Sequence, residues 1–103
     1  MKRIALTIMT AAALAAPAWA ESQASVEHGK ELFNSRSLGS NNKSCATCHP
    51  NGSKLQRAAS YADKRLVKIV NLCIVKMLRG NPLPADSADM ASIIQYLKTL
   101  APS

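Results

Sequence analysis

The chain has 103 residues, with 13 Lys and Arg against 6 Asp and Glu, a formal charge of +7. That length allows one small domain, and aromatics at 4% are too few for the base-stacking platforms of single-strand nucleic-acid binders. Nucleic acid is therefore not the expected partner of the positive charge.

Lys2 and Arg3 are followed by an apolar run from Ile4 to Ala16, broken only by Thr7 and Thr10, and then by the small-x-small triplet Ala18-Trp19-Ala20. This is the layout of a secretory leader, so 1–20 are expected to be cleaved and 21–103 to form the domain. The run is too short to span a bilayer and no second apolar stretch follows, so no transmembrane anchor is expected after cleavage. The bacterial periplasm is the expected destination. From Glu21 onward there are 83 residues with 11 basic and 6 acidic side chains. Between Lys43 and Arg79 eight basic residues (Lys43, Lys54, Arg57, Lys64, Arg65, Lys68, Lys76 and Arg79) face the single acid Asp63. Such a field steers acidic partners or keeps a solvated face soluble.

A first helix is expected from Ser25, its cap, to Asn34, anchored by Leu32 and Phe33, with Gly29 permitting close approach of another helix. His28, near its start among charged residues, is expected to be exposed to solvent. A Ser-, Asn- and Gly-rich stretch then leads to Cys45-Ala46-Thr47-Cys48-His49.

Cys-x-x-Cys-His is the attachment sequence for haem c: two thiols on one side of a short helical turn form thioethers with the vinyl groups, and the adjacent imidazole binds iron. Cys45 and Cys48 are thus expected to hold one haem covalently, with His49 as proximal iron ligand through Nε2. A domain of this size buries only about 60% of its unfolded surface, and a bound porphyrin would add an apolar nucleus. Zinc is a weaker reading, because Cys45, Cys48 and His49 lack the customary second ligand pair. A Cys45–Cys48 disulfide leaves the adjacent histidine without a role.

A turn at Pro50-Asn51-Gly52 follows the motif. The second helix is expected to start at Ser60 as N-cap, with Asp63 as the acidic member of a capping box. Leu66, Ile69, Val70, Cys73, Ile74 and Met77 follow its period, and Gly80 is expected at the left-handed position beyond its end. Asn81-Pro82-Leu83-Pro84 reads as a loop, and a third helix runs from Asp86 or Ser87 to about Leu100. Met90, Ile93, Ile94, Leu97 and Leu100 form its apolar side. No strand pattern is present, so the fold class is all-α.

Gly29-Lys30-Glu31-Leu32-Phe33, Cys45-Ala46-Thr47-Cys48-His49 and Ile94-Gln95-Tyr96-Leu97 together resemble a class I c-type cytochrome. The resemblance implies a compact three-helix fold around one covalently attached haem, in which the N- and C-terminal helices cross. Gly29 and Phe33 match the glycine and aromatic of the first helix, and Tyr96 the aromatic of the last. Asn71-Leu72-Cys73-Ile74, Gly80-Asn81-Pro82-Leu83 and Ser87-Ala88-Asp89-Met90 are similar to haem domains of thiosulfate dehydrogenases and sulfur-oxidation cytochromes. In that family a downstream proline carbonyl often orients the proximal imidazole. Here Pro50 is adjacent to His49 and the next proline is Pro82, which leaves the acceptor open.

For the distal iron ligand the resemblance offers three sulfurs. Met90 has the chain order of the family's methionine, Met77 lies farther from Tyr96 as the family prefers, and Cys73 matches the iron-ligating cysteine of the sulfur-oxidising relatives. Met90 is the first choice, with Cys73 and Met77 as alternatives; each also suits a plain packing role. The implied protein is a soluble periplasmic monohaem electron carrier, a monomer without catalytic residues of its own. Its partners would be redox proteins with acidic docking surfaces. The alternative is a haem subunit or small enzyme of inorganic sulfur (thiosulfate) oxidation that uses Cys73.

Overall fold

The computed structural model describes residues 24–102, so the expected leader at 1–20 lies outside them. The described residues contain four α-helices and no strand: α1 (Val26–Asn34), α2 (Cys45–Cys48), α3 (Asp63–Lys76) and α4 (Ala88–Lys98). Single 3-10 turns occupy Pro50–Gly52 and Ala58–Ser60. Among the described residues, no helix is long and apolar enough to cross a membrane.

α1 starts where a polar cap is available. The Ser25 hydroxyl accepts from the His28 amide at 3.0 Å, and the buried face that follows is Gly29 and Phe33. That face crosses α4. A Cβ on Gly29 would lie 1.9 Å from the Ser92 carbonyl oxygen, so only glycine lets the two backbones meet. One turn on, the Phe33 and Tyr96 rings pack at a centroid distance of 5.2 Å, tilted by 58°. Such a pair contributes about 0.5–1.5 kcal/mol beyond its buried area. The Ser25 amide donates to the Ser92 hydroxyl at 3.0 Å and ties the start of α1 to the same turn of α4.

His28, expected to be exposed to solvent, is partly exposed and also makes polar contacts at this crossing. Its Nε2 lies 2.8 Å from Asp89 Oδ1 on α4 and its Nδ1 lies 3.5 Å from Glu31 Oε1, with the side chain 37% exposed. The hydrogen bond to Asp89 raises the imidazole above its ordinary value of 6.5, with Glu31 adding to the shift. A raised value means that the contribution to stability is complete below pH 6.5 and fades as pH rises through the folded-state value. For so exposed a group the gain is under about 1 kcal/mol. His28→Gln is therefore expected to lower the melting temperature most at pH values below 6.5, the effect shrinking as pH rises through the folded-state value, as followed by thermal unfolding.

α3 buries Leu66, Val70 and Ile74 on one face. Its start differs from the expected one. Ser60 closes the Ala58–Ser60 turn, its hydroxyl donating to the Arg57 carbonyl at 2.9 Å, and extended Ala62 is the residue before the helix. At the other end Arg79 takes the left-handed conformation (φ 59°), and the Gly80 amide donates to the Ile74 carbonyl at 2.9 Å. The carbonyls of Met77, Leu78 and Arg79, just past the end of α3, are then satisfied from the segment before the Cys-x-x-Cys-His motif. Ser40 donates through its amide to Leu78 O at 2.9 Å and through its hydroxyl to Arg79 O at 2.6 Å. Asn41 Nδ2 reaches Met77 O at 2.9 Å. This strap carries the chain to α2 and sets Cys45 beside α3.

Asn71 holds the proline-bearing loop. Its Nδ2 donates to Leu83 O at 2.9 Å while its Oδ1 accepts from the Leu83 amide at 2.8 Å. The side chain thus completes both backbone groups of a half-buried residue. Asn71→Ala is expected to lower stability by about 1–2 kcal/mol, because both Leu83 groups lose their partner. Hydrogen exchange at the Leu83 amide should accelerate more than at α4. Beyond the loop, the Ser87 hydroxyl caps α4 by accepting from the Met90 amide at 3.1 Å, as its sequence signals.

Candidate cofactor site

α2 is a single helical turn. Ser44 precedes it in extended conformation and donates its amide to Thr47 Oγ1 at 2.9 Å, which fixes the start of the turn. Cys45 is buried, Cys48 is exposed, and His49 leaves the turn with its amide on the Cys45 carbonyl at 3.0 Å. The chain then reverses. Asn51 and Gly52 both adopt left-handed conformations (φ 56° and 76°), which asparagine and glycine tolerate best. The Gly52 amide closes the reversal on the His49 carbonyl at 2.9 Å. A side chain on Gly52 would also collide with Leu100, 2.6 Å from the would-be Cβ.

The reversal delivers the Ser53 carbonyl to His49 Nδ1 at 2.9 Å. A carbonyl only accepts, so Nδ1 carries the proton and Nε2 is left as the ring's electron-pair donor. The orienting acceptor that the sequence left open is thus a backbone oxygen four residues downstream, and not a proline carbonyl. No side-chain pattern signals it; the Pro-Asn-Gly turn is its only trace in the sequence.

His49 and Cys45 face a cleft whose empty space, counted out to its mouth, is about 500 Å³. Phe33, Leu66 and Val70 wall it together with Ile93 and Leu97, and Cys73 is its remaining polarizable side chain. A second opening of about 410 Å³ lies on the far side of Cys45, His49 and Cys73 and includes Cys48, Met77 and Leu78. The lining of the first cleft is apolar apart from Cys45, His49 and Cys73, the chemistry of a small-molecule site with few polar groups.

Cys45 and Cys73 line both openings as neighbouring thiols. The interaction with Cys73 and burial push Cys45 well above its ordinary 9.0. Cys73 is half-exposed; the interaction with Cys45, with His49 nearby, holds it down to about 6 against the opposing effect of burial. Cys73 is therefore the member of the pair that gives up its proton first.

The structure brings together Cys45, Cys48, His49 and Cys73 of the residues singled out from the sequence. Met77 stands at the rim of the second opening, 57% exposed. Met90 is fully enclosed (0% exposed) in the core and lines neither opening. Among the described residues no three His, Cys, Asp or Glu side chains are arranged to hold a metal ion by themselves. Haem iron needs only axial protein ligands, so the residues present fit a porphyrin better than a bare ion. Compared with protein-family models, curated proteins and solved structures, the chain matches none.

Proposed function

We propose that this protein is a periplasmic single-electron carrier holding one haem c, with Cys45 and Cys48 as thioether anchors and His49 as proximal ligand. The observation that carries the reading is the His49 imidazole, fixed through Nδ1 so that Nε2 remains a donor, on an apolar cleft it shares with Cys45. When bound, the group supplies one-electron oxidation and reduction of iron. The chain's own part is to hold, orient and insulate. The Ser53 carbonyl keeps the ring in one tautomer and one orientation. Phe33, Leu66, Val70, Ile93 and Leu97 keep water from the cleft. The crossing through Gly29, Phe33 and Tyr96 supports the class I architecture.

For the distal position the cleft favours Cys73, which lines both openings, over the enclosed Met90. Docking falls to the charged surface. All eight basic side chains from Lys43 to Arg79 are exposed, while the lone acid among them, Asp63, pairs with Lys98. Beside them Leu72 and Met77 are exposed apolar side chains. A brief encounter with an acidic redox partner matches that surface, and its rate should fall with ionic strength.

Visible spectra of the purified oxidised and reduced protein, with thiol titration, test the reading. A coloured protein with Cys45 and Cys48 unreactive is expected. A colourless protein with both thiols free to alkylate overturns it. A second reading, chemistry on inorganic sulfur at Cys73, draws support from that thiol's lowered proton affinity and half-exposed position. Thiosulfate-dependent reduction that disappears in Cys73→Ser while the spectrum persists would favour it.

A further inference from the structure

The His49 ring is oriented by the Ser53 carbonyl, and that carbonyl is only as fixed as the reversal that carries it. Inside the reversal the Gly52, Ser53 and Leu55 amides donate to the His49, Pro50 and Gly52 carbonyls at 2.9, 3.0 and 3.1 Å. These bonds are local, and Pro50 and Asn51 face solvent. Such a loop opens at little cost unless a distant element presses on it. The end of the chain does so. The two methyl groups of Leu100 lie 2.6 and 2.7 Å from the point where a Cβ on Gly52 would stand, so they rest against its bare backbone. Leu100 is half-buried and projects from a fixed turn. Its amide donates to the Leu97 carbonyl at 3.0 Å, while Thr99 donates to the Tyr96 carbonyl through its amide at 3.0 Å and its hydroxyl at 2.6 Å. Leu97 walls the cleft and Tyr96 packs on Phe33. A chain of contacts thus runs from the helix crossing through Leu100 to the loop that orients His49.

We propose that Leu100 is a positioning residue for His49: by pressing on Gly52 it keeps the reversal closed, so that the Ser53 carbonyl holds the Nδ1 proton and Nε2 keeps its electron pair. Gly52 suits this contact twice over. Its φ of 76° is one that glycine adopts without strain, and its missing side chain leaves the room that Leu100 fills. With Leu100 truncated, the Gly52–Ser53 segment gains space to swing away from the ring. The imidazole is then free to turn, or to carry its proton on Nε2 instead, because the tautomer is set by the bond the other nitrogen makes. The importance of a free Nε2 for binding iron rests on the haem reading above. The lock itself rests on the contacts that join Leu100, Gly52, Ser53 and His49.

The full chain, labelled with ¹⁵N and kept reduced, carries two histidines, so the His49 Nδ1–H proton is readily assigned by NMR. Its exchange with solvent is measured beside that of the α4 amides. Leu100→Ala should speed the His49 proton by about tenfold relative to those amides, because local opening of the reversal then sets its rate. Leu100→Val should give a smaller rise in the same direction. Leu100→Met keeps the bulk and should return the proton to within about twofold of the parent rate. Leu32→Ala, a truncation at another partly buried position of the same core, should not single out His49. A His49 proton that gains no more than the α4 amides in Leu100→Ala, gains as much in Leu32→Ala, or stays fast in Leu100→Met overturns the proposal. The measurement needs no porphyrin. A colourless protein with the expected response would remove the haem reading and leave the lock standing, whereas a coloured protein whose His49 proton ignores Leu100 would remove only the lock.

Discussion

Gly29→Ala is expected to destabilise the protein by about 2 kcal/mol, although alanine is by far the better helix former. The two effects have opposite signs and separate physical origins. In an exposed helix interior the exchange would gain up to about 1 kcal/mol. At Gly29 the new methyl would sit 1.9 Å from the Ser92 carbonyl oxygen and 2.5 Å from its carbon. The obstacle is backbone, which cannot rotate aside, so α1 and α4 must part by more than an ångström. Parting weakens the Phe33–Tyr96 contact and the Ser25–Ser92 bond together. Overpacking of this kind costs about 1–3 kcal/mol before the loosened neighbours are counted, and it outweighs the propensity gain. A melting temperature lower by about 8–16 °C should result for a domain of this size. Urea or thermal unfolding of the purified variant measures it, and a variant as stable as the parent would show that the helices do not cross this closely.

That crossing was legible because its signals are local or depend on residue size. Ser25 and Ser87 stand directly before apolar-periodic runs and do cap α1 and α4. Gly29 and Phe33 lie one helical turn apart on the face that packs. Ser60 has the same chemistry, yet a preceding 3-10 turn takes up its hydroxyl, and α3 begins after Ala62 without a side-chain cap. A cap read from sequence assumes that nothing upstream competes for it. Gly80 misled in the opposite sense, because the left-handed position falls on Arg79, in a segment whose Leu78 and Arg79 carbonyls Ser40 binds. In the site, Cys45, Cys48 and His49 announce themselves by spacing. The Ser53 carbonyl has no side-chain signature, and Cys73 reaches the motif only through a strap of hydrogen bonds that no periodicity records.

On the proposed haem reading, the ligand opposite His49 is where helical periodicity has least to say, since a methionine on an apolar face packs and ligates with the same spacing. Packing weighs on that choice. Met90 is enclosed in the core and lines neither opening, and its amide is held by the Ser87 cap. Met90→Leu is accordingly expected to behave as a volume-conserving core exchange, lowering stability by less than about 1.5 kcal/mol and leaving the visible spectrum of the loaded protein unchanged. Cys73→Ser should do the reverse. Its unfolding midpoint should stay near that of the parent, while the spectrum and reduction potential move. A thiolate carries charge that favours the oxidised metal, so its loss raises the potential. The shift should be on the order of 0.1 V, within the roughly 0.8 V that axial ligands command. Met77→Leu, at the exposed rim, should change neither. If the spectrum followed Met90 and ignored Cys73, the cleft described here would not be the face on which iron is ligated, and α4 would have to open when the porphyrin is bound.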